Sequence, residues 1–505
     1  MDVLFSGIAQ VLTPNNLLLM LGGTVAGLMA GALPGLTATM AVALIVPFTF
    51  TMSPISGLAT MGAIYMSAIY GGSFSAILIN TPGTPSSIGT TFDGYPMARA
   101  GRGQEAIVVA TIASVIGGLF GVAVLAFLAP PLAKVALKFG PPEYFWVSIF
   151  GLSIIASLAS KSLLKGLIGG VFGLLISTIG IAPIGGDVRF TFGRPSMQGG
   201  IELVGALIGL FCIPEVLSLV RQGTKAYEAV RVEKRRGVIW ETTTKVLAMP
   251  GNLLRSSVIG TIVGIIPGAG GNIANLVAYN EAQRVSKYPE KFGTGIIDGL
   301  VATETANNAT VGGGLVPLLT LGVPGTPVDA VIYGALLIQG LRPGPELFTV
   351  HADITYGFIF SLFIATLMML VVGLVMGTAL HRLVSRLPLR YLVPSIVFLS
   401  ILGSYAIRNN MTDVGVMLAC GFAGYLLKQL GFHPGPIVLG LILGPLAEEG
   451  FVQATLMAKA LPIPWLIFFA RPISIILILM TVASLAWPLL SGGRRLRKEA
   501  GLSAQ

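Results

Sequence analysis

Two short strings hold the residues best suited to chemistry: NTPGTPSS at 80–87 and GVPGTPVD at 322–329. Each carries Pro-Gly-Thr-Pro, at 82–85 and 324–327, inside strongly apolar surroundings. Proline has no N–H and breaks a helical hydrogen-bond ladder. Glycine admits unusual dihedrals and close backbone approach. Two prolines around Gly-Thr therefore force an unwound tip. Its free carbonyls can coordinate a cation, and the N–H groups that begin the next helix can hold an anion. Thr84, Ser86, Ser87 and Thr326 add hydroxyls; Asn80 and Asp329 add stronger ligands. Two readings stand: sharp turns outside a membrane, or tips at membrane depth. At that depth unwound backbone survives only when buried in protein or lining a water-filled cavity.

A second group lies in ATETANNATVGGG, 302–314, where Thr303, Glu304, Thr305, Asn307, Asn308 and Thr310 interrupt apolar sequence. Mostly neutral oxygens suit sodium, while Glu304 could carry a proton; ionisable residues inside a membrane are functional candidates. The plainer reading is a helix cap or an interhelical hydrogen-bond network. Asn272, Asn275 and Asn280 follow Pro267-Gly268 in a similar way, with Thr37 and Thr39 after Pro34-Gly35 as shorter counterparts. Gly35, Thr37, Gly268, Asn272, Asn275, Thr303, Glu304, Asn307 and Asn308 are thus the coupling-ion candidates. Asp187 reads as a loop ion-pair partner, Glu202 and Glu215 as helix-end residues, and Glu448-Glu449 as a cap. His351, His381 and His433 lack metal-ligand spacing, and Cys212 and Cys420 sit in apolar runs. No His-Glu-x-x-His, Walker A or Gly-x-Ser-x-Gly pattern occurs, so the chain reads as no enzyme and needs no cofactor.

The elements that must position these residues are membrane helices. Of 505 residues, 54% are hydrophobic and 10% charged, against about 25% charged in soluble domains. Too few polar residues remain to cover a water-facing surface. Apolar runs at 106–133, 144–160, 166–182, 200–220, 354–380, 391–407, 414–430 and 464–490 approach the roughly 20 residues of a span. Counting broken ones, about 10–12 transmembrane segments are expected. The 66 glycines and 31 prolines fit membrane helices. The net charge of +10 reads as basic cytoplasmic loops rather than nucleic-acid binding. No Lys or Arg precedes Arg99, so the first apolar segment reads as a retained span.

The chain divides into a first repeat (1–220), a basic cytoplasmic linker (221–250), a second repeat (251–463), and a last span with a basic cytoplasmic tail (464–505). Linker residues Arg221, Lys225, Arg231, Lys234, Arg235, Arg236 and Lys245 outnumber Glu228, Glu233 and Glu241. Gly23, Gly27, Gly31 and Gly35 match Ser256, Gly260, Gly264 and Gly268, with Pro34 and Pro267 offset by 267 − 34 = 233. The Pro-Gly-Thr-Pro motifs and their upstream pairs, Gly71-Gly72 and Gly313-Gly314, share the offset 324 − 82 = 242. GGVFGLLISTIG (169–180) echoes CGFAGYLLKQLG (420–431) more weakly.

Basic residues change sides between the halves. TMSPIS (51–56) has none, while its counterpart at 281–293 holds Arg284, Lys287 and Lys291. Arg99 and Arg102 follow the first tip; Arg342 alone follows the second. Lys161 and Lys165 correspond to Arg408, and Lys134 and Lys138 fit less well. The expectation is an all-α polytopic membrane protein of two inverted-topology repeats with broken, re-entrant elements, a hallmark of secondary transporters.

LPGLT (33–37), PGAGG (267–271), the paired PGTP motifs and the Gly-rich halves carry a resemblance over about residues 14–465. At these motifs the chain resembles the large membrane subunit of tripartite tricarboxylate transporters. The resemblance implies a carrier in the bacterial inner membrane, working with a small four-span membrane subunit and a periplasmic solute-binding protein. It implies import of citrate or other carboxylates by symport with sodium or protons, through an elevator-like motion. Carried over residue by residue, Asn80, Thr81, Pro82, Gly83, Thr84, Pro85 and Ser86 would form one substrate tip. Gly322, Pro324, Gly325, Thr326, Pro327 and Asp329 would form the other. Gly322-Val323 replaces Asn-Thr there, so the tips are expected to differ chemically.

Overall fold

Prolines and small polar caps set most helix boundaries. The computed structural model describes residues 2–158, 162–222, 230, 236–377 and 389–486. The basic residues Lys161, Lys225, Arg231, Lys234, Arg235 and those of the tail, with His381, lie outside the described residues. In chain order the helices are α1 (Asp2–Val11), α2 (Pro14–Ala32), α3 (Ala38–Thr49), α4 (Pro54–Ile79), α5 (Thr90–Met97), α6 (Gly103–Ala136), α7 (Pro141–Leu158), α8 (Leu163–Ser177), α9 (Leu203–Gln222) and α10 (Val238–Leu247). They continue with α11 (Pro250–Ile265), α12 (Gly270–Val285), α13 (Ile297–Leu321), α14 (Pro327–Ile338), α15 (Glu346–Thr349), α16 (Ala352–Met376), α17 (Leu389–Arg408), α18 (Met411–Gln429), α19 (Pro434–Ala458) and α20 (Pro472–Ala486). Proline at the first turn of α2, α4, α11, α14 and α19 uses a position whose N–H would be unpaired anyway. The described strands form one hairpin, Gly180–Ile181 with Val188–Arg189.

The protein is an all-α polytopic membrane protein. Eight described helices are long and apolar enough to cross a membrane, and α10 with α11, bent by 74°, makes a ninth. The sequence leads one to expect about 10–12. The difference lies in α3, α8 and α14, which are apolar but too short to cross alone, and in α20, whose described part, Pro472–Ala486, is shorter than a span. Pro34-Gly35 ends the turn before α3, and the second Pro-Gly-Thr-Pro leads into α14, so these two are pieces of broken elements. The outer helices α17 and α18 bury only 22% and 28% of their apolar windows. Phe398, Phe422 and Leu418 are exposed there, as a lipid-facing surface requires.

The described chain forms two compact units, Met1–Lys134 with Val204–Tyr425, and Val135–Leu203 with Leu426–Gln505. Each unit thus draws on both halves of the sequence. In the first unit, α2 crosses α4 and α11 crosses α13 in the same way. A Cβ on Gly27 would strike the Ile64 carbonyl, and one on Gly31 the Ala68 carbonyl. At the offsets read from sequence, Gly260 meets the Ala306 carbonyl and Gly264 that of Thr310. In the reverse direction Gly71 lies on Leu28 and Gly313 on Thr261. Only glycine lets the two backbones of each pair come this close.

The halves also exchange partners. The turn Pro85–Ser87 after the first tip packs on α12 of the second half, and α14 after the second tip packs on α3 of the first. The second unit joins α8 to α19 through Gly173 against Ile437 and Gly440 against Gly170. In the first unit the echo of α8, which is α18, meets α9 through Gly421 against Ile213 and Gly209 against Met417. Buried Glu143 anchors the second unit's α7, accepting from Gly140 N (2.8 Å), Ser474 Oγ (3.0 Å) and Arg471 Nη1 (2.8 Å). Arg189 holds Glu448 by two bonds of 2.7 and 3.0 Å, tying the hairpin to α19. Of the linker, α10 is described; its Lys245 pairs with Glu241 (2.8 Å) and Glu105 (3.2 Å).

Candidate functional site

Both tips are built the same way. α4 stops at Asn80 and α13 at Gly322, each left-handed with φ of 54° and 72°. Glycine is the usual residue for such a stop and asparagine the best-tolerated substitute. The Gly322-Val323 departure from Asn-Thr therefore preserves the backbone while removing the side chain. Asn80 is exposed and serves as this helix stop. Past each Pro-Gly, a threonine restarts helical structure through a capping box with proline in the first turn. At the first tip Ser87 Oγ donates to Thr84 O (2.8 Å) and accepts from Thr84 N (3.4 Å). At the second, Thr326 N donates to Asp329 Oδ2 (2.8 Å) and Asp329 N to Thr326 Oγ1 (3.2 Å). Ser87 and Asp329 thus hold equivalent places.

The tips meet at the start of α12. A Cβ on Gly270 would contact Thr326 of the second tip at 3.5 Å, and one on Gly271 would press on Ser86 of the first at 2.7 Å. Gly268 N donates to Gly325 O at 2.8 Å, which binds the Pro267-Gly268 break to the second tip. Gly268 and Gly270 have φ of 82° and 53°, open to glycine and strained for other residues. Around this junction the structure gathers Ser86, Asn275 and Asn307. Asn275 Nδ2 donates to the Ser86 carbonyl, and Asn307 Oδ1 faces Gly271. Glu304, wholly buried one turn before Asn307, accepts from the Thr90 hydroxyl and from Ser114 Oγ at 2.8 Å. Thr303 sits beside Gly89 but spends its hydroxyl on Leu300 O (3.0 Å).

Other sequence candidates lie elsewhere. Asn308 faces α4 instead, donating to Met66 O at 3.3 Å. Asn272 is exposed on α12. Thr37 caps α3, accepting from Met40 N at 3.2 Å, and left-handed Gly35 lies against Leu219. Sequence reasoning also missed participants. Tyr65, buried on α4, hydrogen-bonds Thr326 Oγ1 across the halves at 3.0 Å. Asp93 on α5 accepts from Gly293, Gly295 and Ile296 N–H groups. Their partners are about 200 or more positions away, so no local pattern marks them. The 242 offset does pair Tyr65 with Asn307, since 65 + 242 = 307.

The chemistry open to this junction follows from its unpaired atoms. Asn307 Oδ1 and Nδ2, Asn275 Oδ1, Asp329 Oδ1 and Ser73 Oγ are buried without hydrogen-bond partners. Among the described residues no group of three His, Cys, Asp or Glu could hold a metal. The donors offered are amide, hydroxyl and backbone groups, with Asp329 as the carboxylate.

Fold and site define a polytopic helical membrane protein organised around two equivalent broken helices. The chain belongs to the tripartite tricarboxylate transporter TctA family, whose model matches residues 17–439. It is 37% identical over 491 residues to an uncharacterised 52.8 kDa protein from the TAR-I ttuC′ 3′ region of Agrobacterium vitis, covering 97% of this chain and 96% of the relative. A second protein of that organism, from the TAR-II ttuC′ 3′ region, is 37% identical over 200 residues, 40% of this chain and 82% of its own. No solved structure matches the chain.

Proposed function

We propose that this chain is the large membrane subunit of a binding-protein-dependent secondary transporter that imports tricarboxylates or related carboxylates. The observation that carries this reading is the convergence of both Pro-Gly-Thr-Pro tips on Gly270-Gly271. Paired discontinuous helices meeting inside a membrane bundle are the best pointer to a transport site. The family description, a tripartite tricarboxylate transporter, supports the substrate class and a three-part assembly. The other parts are a small four-span membrane subunit and a periplasmic solute-binding protein. The membrane is the bacterial inner membrane, with linker and C-terminus cytoplasmic. The swapped basic loops support an inverted relation of the halves.

The substrate site comprises Asn80, Thr81, Pro82, Gly83, Thr84, Pro85 and Ser86 of one tip with Gly325, Thr326, Pro327 and Asp329 of the other. Backbone N–H groups at the start of α12 and the tip hydroxyls bind the carboxylates. A sodium ion or proton offsets the substrate's charge, because residues 80–88, 267–280 and 322–329 contain no Lys or Arg. Elevator-type movement of the tip-bearing elements carries the site across. The test is binding-protein-dependent citrate uptake into proteoliposomes holding the complete carrier. Thr84→Ala and Thr326→Ala should each lower uptake by about tenfold or more, as loss of a positioning contact does. Wild-type uptake by both folded variants would overturn the site.

A further inference from the structure

We propose that the first tip, and not the second, holds a monovalent cation, coordinated by the side-chain oxygens of Asn307 and Asn275. This rests on the reading of the chain as a cation-coupled carrier. Gly27 lies on Ile64 as Gly260 lies on Ala306, so the residues that follow, Tyr65 and Asn307, occupy equivalent places. Both are buried, and each faces a tip of the opposite half. Tyr65 supplies its own hydroxyl to that place, bonded to Thr326 Oγ1 at 3.0 Å. Asn307 has neither Oδ1 nor Nδ2 partnered.

Asn275 strengthens the case. Its Nδ2 is spent on the Ser86 carbonyl, and its Oδ1 is buried and unpaired 3.3 Å from where a Cβ of Gly89 would stand. Two amide oxygens are therefore free beside one tip, against a single free donor, Asn307 Nδ2. Surplus neutral oxygen suits a hard cation; an anion would need surplus donors. Glu304 places its carboxyl one turn away, with hydroxyls of Thr90 and Ser114 already bound to both its oxygens. Burial differs too: Asn80, Pro85 and Ile88 are exposed around the first tip, whereas Gly322–Thr326 are buried. The second tip does retain one unpaired oxygen, Asp329 Oδ1, which makes it the rival location.

Thermal unfolding of the full-length protein in detergent decides between them, without substrate or binding protein, as sodium replaces choline at constant ionic strength. Wild-type protein should show saturable stabilisation by sodium. Asn307→Ala and Asn275→Ala should raise the sodium midpoint by about tenfold or more, the effect of losing one good ligand. Asn307→Asp should recover sodium binding and make it pH-dependent. Tyr65→Phe, at the equivalent place in the first half, should leave the midpoint within about threefold. An unchanged midpoint in both asparagine variants, loss in Asp329→Asn instead, or no sodium-specific stabilisation of wild type would each overturn the proposal. Because the readout omits the carboxylate, a failure of citrate uptake would count against the substrate reading alone.

Discussion

Replacing Asp93 by alanine should loosen the loop before α13 and, through it, the first tip. Asp93 Oδ1 accepts from the N–H groups of Gly293 (2.9 Å), Gly295 (2.8 Å) and Ile296 (3.0 Å), in a side chain with no exposure. Gly293 and Gly295 hold φ of 84° and 101°, which turns their amides toward one point, as in an anion nest. Hydrogen bonds to a charged group contribute about 1.5–3 kcal/mol each. Three bonds on one oxygen are not additive, and water can reach the partly buried donors once the carboxylate is gone. A combined local loss of about 3–4 kcal/mol is a reasonable working figure. At 1.36 kcal/mol per tenfold, amide exchange at 293–296 should accelerate by about 100-fold or more in Asp93→Ala. Hydrogen-exchange mass spectrometry of the folded protein measures it. Asp93→Asn keeps an acceptor and should give a smaller acceleration. Gly299→Ala offers an independent check, because its Cβ would collide with Asp93 Oδ2. Exchange unchanged within about threefold in folded Asp93→Ala would refute the claim that this carboxylate holds the loop.

Two further perturbations probe packing. A Cβ on Gly325 would come within 2.7 Å of Gly264 O and 2.8 Å of Gly314 Cα, and one on Gly83 would collide with Gly31 O. Gly83→Ala and Gly325→Ala should each destabilise by about 1–3 kcal/mol in detergent unfolding; Gly251→Ala, with nothing within 4 Å, should not. In the second unit, Glu143→Ala strands Gly140 N, Ser474 Oγ and Arg471. With Arg471 42% exposed and able to rehydrate, the expected loss is about 2–3 kcal/mol rather than the full value for a buried pair. Reversible unfolding followed by tryptophan fluorescence should report it, since Trp146 donates to Phe468 O in the same unit.

Where spacing alone determines contact, the sequence was enough. Glycines four apart must line one helical face, and those faces do carry the closest backbone crossings, at matching places in both halves. Pro-Gly-Thr-Pro had to break its helix, and both breaks occur at Asn80 and Gly322. Spacing could not say that the residues after each break form capping boxes, which gives Thr84, Thr326, Ser87 and Asp329 a structural duty beside any ligand. Nor could it separate Asn307 from Asn308: adjacent helical residues point about 100° apart, and which one faces the tip is decided by α12 and the first tip, packed from distant sequence. Tyr65 and Asp93 were passed over for the same reason.

The differences between the halves are as informative as the match. Equivalent places hold Asn80 and Gly322, Ser87 and Asp329, Asn307 and Tyr65. Each exchange leaves the backbone alone: both stops are left-handed, both capping boxes close, and both helix positions face the opposite tip. What changes is the group on offer, an amide with nothing bound against a phenol already bound, a hydroxyl against a carboxylate. A two-fold scaffold that needed two identical sites would have no use for such substitutions. On the reading proposed above, both tips reach the substrate, and the free amide oxygens beside the first alone give the cation its place. The matched backbone keeps the paired places equivalent, and the three exchanged side chains make them chemically different.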